Sequence, residues 1–463
     1  MAYLHPHGHV FYRGLHQPHP LIVRGEGVYL YDDKGKRYLD ACGGALVVNI
    51  GHSVPEIAHA LSNQAGQIAY VHAPKFTNAP MEAYAQALAQ VAPLPDARVF
   101  PVLSGSEATE AAIKLARQVQ RDRGETGRYK VISRWGSYHG ATLGALSASG
   151  RPPLRRLYTP LLLDFPHIPP PYCYRCRFGA TYPNCDLACA HALETEILRQ
   201  GPENVAAFIA EPVVGATLGA VVPPPGYWLL IREICDRYGV LLIADEVMTG
   251  FGRTGQWFGI QHWDVTPDVI TAGKGASNGY FPLAPVLVRG ELVNAIAKTS
   301  GSFIHGCTFS HHAVGAAVGL AVLRYLQDHD LITAANARGE RLGHKLRAAF
   351  EGMPCVGEVR GIGMMWAVEF VTDRESKQPF PPQVHLAHEI GDAARRKGVI
   401  VYTSSGCADG VTGDLIMVAP PFTITEDEMD DAVRLLQEAV REVPSLWGSE
   451  NCGKIKVALG ADR

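Results

Sequence analysis

Between residues 99 and 288, short unbroken apolar runs alternate with amphipathic stretches, and this alternation limits the possible folds more than any other feature. Residues 99–103, 130–133, 206–210, 240–244, 269–272 and 284–288 read as strands. Residues 106–119 and 227–238 read as helices between them; in the first, Ala108, Ala111, Ala112, Leu115, Ala116 and Val119 fall on one face. Strands that are apolar at every position need cover on both faces. The pattern therefore predicts an α/β fold around a mostly parallel sheet flanked by helices.

The flanks differ. Residues 21–42 read as a small antiparallel meander with turns at Gly25-Glu26-Gly27 and Asp33-Lys34-Gly35. Residues 55–92 keep helical spacing, broken at Pro74 and Pro80. Beyond a helix at 313–327, the order becomes helix 332–350, strand 364–370, helix 384–396, strands near Ile400 and Ile416, and helix 426–440. That is the pattern of a smaller α+β lobe. Length agrees, since 463 residues suit two or three domains. With 42 basic and 45 acidic residues the net charge is −3, so no long-range field recruits nucleic acid or an anionic membrane. No run of about 20 apolar residues is present to span a bilayer. The expectation is a soluble, cytoplasmic protein with neither nucleic-acid nor membrane partners.

Three strand ends carry chemistry. Leu241-Leu242-Ile243-Ala244-Asp245-Glu246-Val247 delivers an acid to the carboxyl end of a strand, where open α/β sheets place ligands. An acid buried there needs a cationic or protonated partner. Val269-Ile270-Thr271-Ala272-Gly273-Lys274 brings a lysine to another strand end, the setting of an amine kept partly neutral by desolvation. Ser104-Gly105-Ser106-Glu107 follows a strand and opens a helix, a natural phosphate cradle. Cradle, amine and acid together suit pyridoxal phosphate.

As an ordered set along nearly the whole chain, these motifs resemble the class III aminotransferases of the fold-type I pyridoxal phosphate enzymes. The resemblance implies a seven-stranded, mostly parallel sheet in a large cofactor-binding domain, residues 56–325. It also implies a smaller α+β domain built from both chain ends, residues 1–55 and 326–463. Lys274 would carry the cofactor as a Schiff base, and Asp245 would pair with the ring nitrogen. Val247 and Tyr138, the latter in Ser137-Tyr138-His139-Gly140, would sandwich the ring, with His139 packed beside it. Gly105 and Ser106 would hold the phosphate, helped by Thr308 from a neighbouring subunit, which implies a homodimer. Glu211, in Ala210-Glu211-Pro212, matches the family's active-site glutamate. Substrates would be a small amine donor and an oxo-acid acceptor.

One departure narrows the substrate. Where many of these enzymes carry a carboxylate-binding arginine ahead of the C-terminal Pro-Pro pair, this chain has Met417, and no arginine occurs between Arg396 and Arg434. That points to the amine:pyruvate and ω-amino-acid transaminases, with Arg13 or Arg24 as stand-in cations. The diaminopelargonate aminotransferases are the nearest alternative, but Ala45-Leu46-Val47-Val48 replaces their tryptophan pair. A decarboxylase or aminomutase would keep the same lysine and aspartate.

Other features have plainer readings. Of ten cysteines, Cys173, Cys176, Cys185 and Cys189 cluster within residues 166–192, a Pro- and Cys-rich excursion. Their spacing admits a structural zinc or an iron–sulfur centre, or else free or paired thiols. His5, His7, His9, His16 and His19 read as a mobile N-terminal arm rather than a metal site. Gly361-Ile362-Gly363 reads as a turn into a strand, not a dinucleotide fingerprint.

Overall fold

The computed structural model describes residues 8–15 and 19–447. His5, His7, His16 and Cys452 lie outside the described residues. The chain opens with β1 (Ile22–Glu26), β2 (Tyr29–Asp32) and β3 (Arg37–Asp40), an antiparallel meander. Helices Pro55–Gln67 and Ala79–Val91 follow, each with proline in its first turn, where the missing N–H costs nothing.

The large sheet is built from β4 (Arg98–Val102), β5 (Lys130–Arg134), β6 (His167–Ile168), β7 (Val205–Ala210), β8 (Leu241–Glu246), β9 (Val269–Ala272) and β10 (Ala284–Val288). Their order is β4-β10-β9-β8-β7-β5-β6, and only β10 runs against both neighbours. The seven-stranded, mostly parallel sheet is the one expected. Its edge strand β6 is two residues long and sits inside the Pro-rich stretch that reads as an excursion.

Burial explains the unbroken apolar runs. Leu241, Ile243, Ala207, Ile209 and Val269 pack on one face beneath the helix Gly105–Asp122, whose Ala108, Ala111, Ala112, Leu115, Ala116 and Val119 are all buried. Leu242, Ala244, Phe208 and Ile270 pack on the other face with the helix Tyr227–Tyr238. Each fully buried Leu or Ile stabilises by roughly 1.5–3 kcal/mol, so two apolar faces together give the sheet its core.

The C-terminal part adds β11 (Val356–Ile362), β12 (Met365–Phe370), β13 (Val399–Ile400), β14 (Tyr402–Ser405) and β15 (Asp414–Val418). Four of these form the sheet β11-β12-β15-β14, while β13 pairs in parallel with β3, so the two chain ends meet in one sheet. Gly363 turns β11 into β12 at φ +54°, as the Gly-Ile-Gly reading expects. The helix Leu331–Phe350 lies directly on that turn. A Cβ on Gly339 would stand 2.2 Å from the Gly363 carbonyl carbon, and backbone cannot move aside as a side chain can. Gly339→Ala should therefore lower the unfolding free energy by about 1–3 kcal/mol. A denaturant midpoint equal to the parent's would contradict this contact.

Candidate active site

Adjacent residues on β8 point to opposite faces of the sheet, which separates its two acids. Asp245 shares the face of Leu241 and Ile243, toward the helix Gly105–Asp122. Its Oδ2 lies 2.6 Å from His139 Nδ1, and its Oδ1 accepts from the Val247 N–H at 3.1 Å. Glu246 faces the other way. Its carboxylate accepts from the Thr249 hydroxyl and from the N–H groups of Gly259 (2.8 Å) and Ile260 (2.7 Å). Burial pushes its pKa up to about 7 in spite of these donors. Asp245 is the acid available to a ligand; Glu246 anchors a turn.

Asp245 is the register partner of Thr271 on β9, and Lys274 follows three residues later in the left-handed conformation, φ +46°. A lysine held there is strained, a condition met where the surroundings over-determine the backbone. Burial lowers the Lys274 pKa to about 8, against the opposing pull of Asp245 and with a small further push from Arg253. At mildly alkaline pH, near 8, about half of this amine is uncharged and nucleophilic.

The helix Gly105–Asp122 brings its first turn to the same place. Ser104 caps it, accepting from the Glu107 N–H at 3.2 Å. The N–H groups of Gly105 and Ser106 lie where no intrahelical acceptor exists, as an anion site requires. Glycine is needed at 105, because a Cβ there would meet Val247 Cγ1 at 2.9 Å. Gly140 is equally constrained: its Cβ would stand 2.5 Å from Ser106 Oγ, which accepts from the Ala141 N–H at 3.0 Å. So the Tyr138-His139-Gly140 loop, the helix start, Val247 and Asp245 form one hollow beside Lys274. Tyr138 is 45% exposed on its rim.

Glu211 stands behind that loop. Its Oε1 accepts from the Tyr138 N–H at 3.0 Å, and its Oε2 pairs at 3.1 Å with Arg134, whose guanidinium is fully buried and also donates to the Glu211 carbonyl. Glu211 thus orients Tyr138. Thr308 lies apart on an exposed segment, its carbonyl accepting from the Tyr70 hydroxyl at 3.0 Å.

Sequence reading missed Arg134 as that partner. It also missed Arg253, fully buried, which donates to the carbonyls of Met364 (3.0 Å), Ala419 (3.0 Å) and Pro420 (2.8 Å) and to Asn49 Oδ1 (2.6 Å). Arg253 ties both chain ends to the wall of the site. Nothing local to Gly252-Arg253-Thr254-Gly255 tells what the arginine grips. Of the two stand-in cations, Arg24 is taken: it pairs with Glu26 and lies 3.8 Å from the centre of the Tyr31 ring.

The zinc expectation is corrected. Cys173, Cys176, Cys185 and Cys189 are all free thiols, and among the described residues no group of three or more His, Cys, Asp or Glu is arranged to hold a metal. They come from a 3-10 turn, a loop and the start of the helix Ala188–Gln200, and they line a small hollow shared with Pro170, Tyr172 and Phe178. Burial, helped by the neighbouring thiols of Cys173, Cys185 and Cys176, pushes the Cys189 thiol up to about 12.

Residues 10–440 match the aminotransferase class-III family. The chain is a class III aminotransferase. It is 40% identical over 429 residues to an uncharacterised aminotransferase, YodT, of Bacillus subtilis, covering 93% of this chain and 96% of that one. It is 35% identical to the putrescine–pyruvate aminotransferase of Pseudomonas aeruginosa, covering 91% and 90%. Among solved structures it resembles an (S)-enantioselective omega-transaminase from Thermomicrobium roseum, with TM-score 0.87, 40% identity and coverage of 95% and 96%. The omega transaminase of Pseudomonas jessenii in complex with PMP gives TM-score 0.86 at 35% identity, covering 92% and 93%. Class III aminotransferases use pyridoxal phosphate. The hollow suits it: first-turn N–H groups for the phosphate, a side-chain-free approach at Gly105, a buried acid and a part-neutral lysine.

Proposed function

We propose that this aminotransferase moves an amino group from a primary amine or ω-amino acid to an oxo acid, with pyruvate as acceptor. One observation carries the choice of substrates. Met417 on β15 is fully buried in an apolar cluster with Leu46, Val214, Met365 and Leu415, against which Met248 packs. Met248 follows Val247 directly, so this cluster borders the hollow. A second substrate carboxylate pressed against it would be desolvated without a partner. The putrescine–pyruvate relative agrees with this choice, while the diaminobutyrate–2-oxoglutarate transaminase of Halomonas elongata, 36% identical, names the competing one.

In this reading Gly105 and Ser106 hold the phosphate, Asp245 the ring nitrogen, and Tyr138 and Val247 the two ring faces. When bound, pyridoxal phosphate supplies an electrophilic carbon and a sink for the electrons left when the substrate carbon loses a proton. Asp245 would keep a proton on the ring nitrogen, and His139, 2.6 Å from its Oδ2, holds the carboxylate in place. Lys274 Nζ would hold the cofactor and, once free, would take the proton from the substrate carbon and deliver it to the carbon on the far side of the transferred nitrogen. A homodimer follows, with the partner subunit's Thr308 completing the phosphate site. Free thiols at all nine described cysteines suit a cytoplasmic protein.

The test is a donor panel assayed with pyruvate and, separately, with 2-oxoglutarate. Alanine formation from putrescine or an ω-amino acid is expected. Glutamate formation without alanine would overturn the acceptor, and carbon dioxide release without amino transfer would overturn the reaction class.

A further inference from the structure

An oxo acid brings a carboxylate, and with methionine at position 417 the cation that receives it must come from elsewhere. Arg151 is well placed. Its neighbour Gly150 is tied to the loop that carries Tyr138: the Gly136 N–H donates to the Gly150 carbonyl at 2.9 Å, and the Gly150 N–H reaches the Ser137 carbonyl and hydroxyl, both at 3.1 Å. A side chain at 150 would strike the Arg134 carbonyl oxygen at 2.1 Å, so the chain lies flat against the strand end. Pro152 then holds Arg151 extended, at φ −93° and ψ 104°.

From there the guanidinium reaches β14, donating to Ser404 Oγ at 3.3 Å and the Ser405 carbonyl at 3.1 Å. The register is informative. Tyr402 is paired with Met417, and Ser404 lies two residues along β14 on the same face as Tyr402. Arg151 therefore meets the sheet one side-chain row from Met417. It is partly buried and forms no ion pair among the described residues. Its acceptors are neutral, and a half-buried cation without a counter-charge is a site that gains from an anion. Tyr138 feels the charges of both Arg151 and Arg13, together with those of Tyr402 and Asp245, so all four groups surround the rim. Arg13 is exposed and reaches the rim from the N-terminal segment.

We propose that Arg151 binds the carboxylate of the oxo-acid acceptor, replacing from the Tyr138 loop the cation that Met417 removes from β15. This inference rests on the proposed acceptor class, and its tests separate the two. In the holoenzyme, kcat/KM is measured for pyruvate and for butanal, an acceptor without a carboxylate. Arg151→Ala should lower the pyruvate-to-butanal ratio about 10- to 100-fold, the range of a charge-assisted contact, mainly through the pyruvate KM. Arg151→Lys should recover part of it, which a purely structural role would not predict. An unchanged ratio in Arg151→Ala, or a ratio that collapses in Arg13→Ala instead, overturns the proposal.

Propanoate binding by calorimetry, with propanamide as the uncharged control, gives the independent arm. Should the parent enzyme form no alanine, the acceptor reading fails by itself. Propanoate binding that weakens in Arg151→Ala would still support the carboxylate site, and equal binding would overturn it. Folding of each variant is checked by its thermal unfolding.

Discussion

Lys274→Ala should abolish amino transfer, lowering turnover by about 10,000-fold or more, because in the proposed mechanism one amine serves as both nucleophile and proton carrier. The variant should keep its fold, since the Lys274 side chain makes no described hydrogen bond and removing it relieves a buried charge. It should also keep the capacity to bind pyridoxal phosphate without the covalent link, so that reduction with borohydride leaves no cofactor on the protein. Parental turnover in this variant would refute the assignment. The same lysine sets a pH dependence. With its pKa lowered by burial to about 8, the neutral fraction grows as pH rises through that value. The rate at which cofactor-free protein captures pyridoxal phosphate should therefore rise between about pH 7 and 9 and then level off. Spectroscopic capture rates across that range are the measurement. A rise delayed until near pH 10.5 would mean an ordinary solvated lysine.

Asp245→Asn should be the next most damaging change, lowering turnover by about 1,000-fold. Asparagine is nearly isosteric and keeps an acceptor for the Val247 N–H, so thermal stability should change little. What it loses is the negative charge beside His139, which the proposed mechanism sets opposite the ring nitrogen. Proton exchange at the substrate carbon, followed in deuterated water, should fall in step with turnover. If turnover falls while exchange persists, the charge acts elsewhere in the cycle. Replacing Glu246 by glutamine provides the contrast. It lies one residue away but on the opposite face, so it bears on the Gly259–Ile260 turn and not on proton exchange.

Much of this site was legible because its residues lie at strand ends and helix starts, where local pattern and chemistry coincide. Lys274, Asp245, Gly105 and Ser106 each follow a recognisable strand or open a recognisable helix. The helical face from Ala108 to Val119 was readable for the same reason. The two-residue strand β6 was not, since His167–Ile168 is too short to show a period and is flanked by prolines. Arg134 and Glu211 are 77 residues apart, and His139 and Asp245 are 106 apart. No local pattern announces such pairs. The cysteine cluster is the converse case: its spacing admitted either a metal or plain thiols, and among the described residues the thiols line a small hollow with no group of three or more ligands arranged to hold a metal.

By itself the sequence determined the α/β class, the strand ends that bear the lysine and the acid, and the absence of an arginine at position 417. These follow from periodicity and residue type, which act over a few neighbouring positions. Only the tertiary structure decided that Asp245 faces the hollow while Glu246 faces the core, that Arg134 occupies Glu211, that Arg253 ties the two chain ends to the site, and that Arg151, near Met417, has no carboxylate partner among the described residues. Each depends on which face of a strand a side chain takes and on what distant segment packs there. Those are consequences of burying both faces of one sheet.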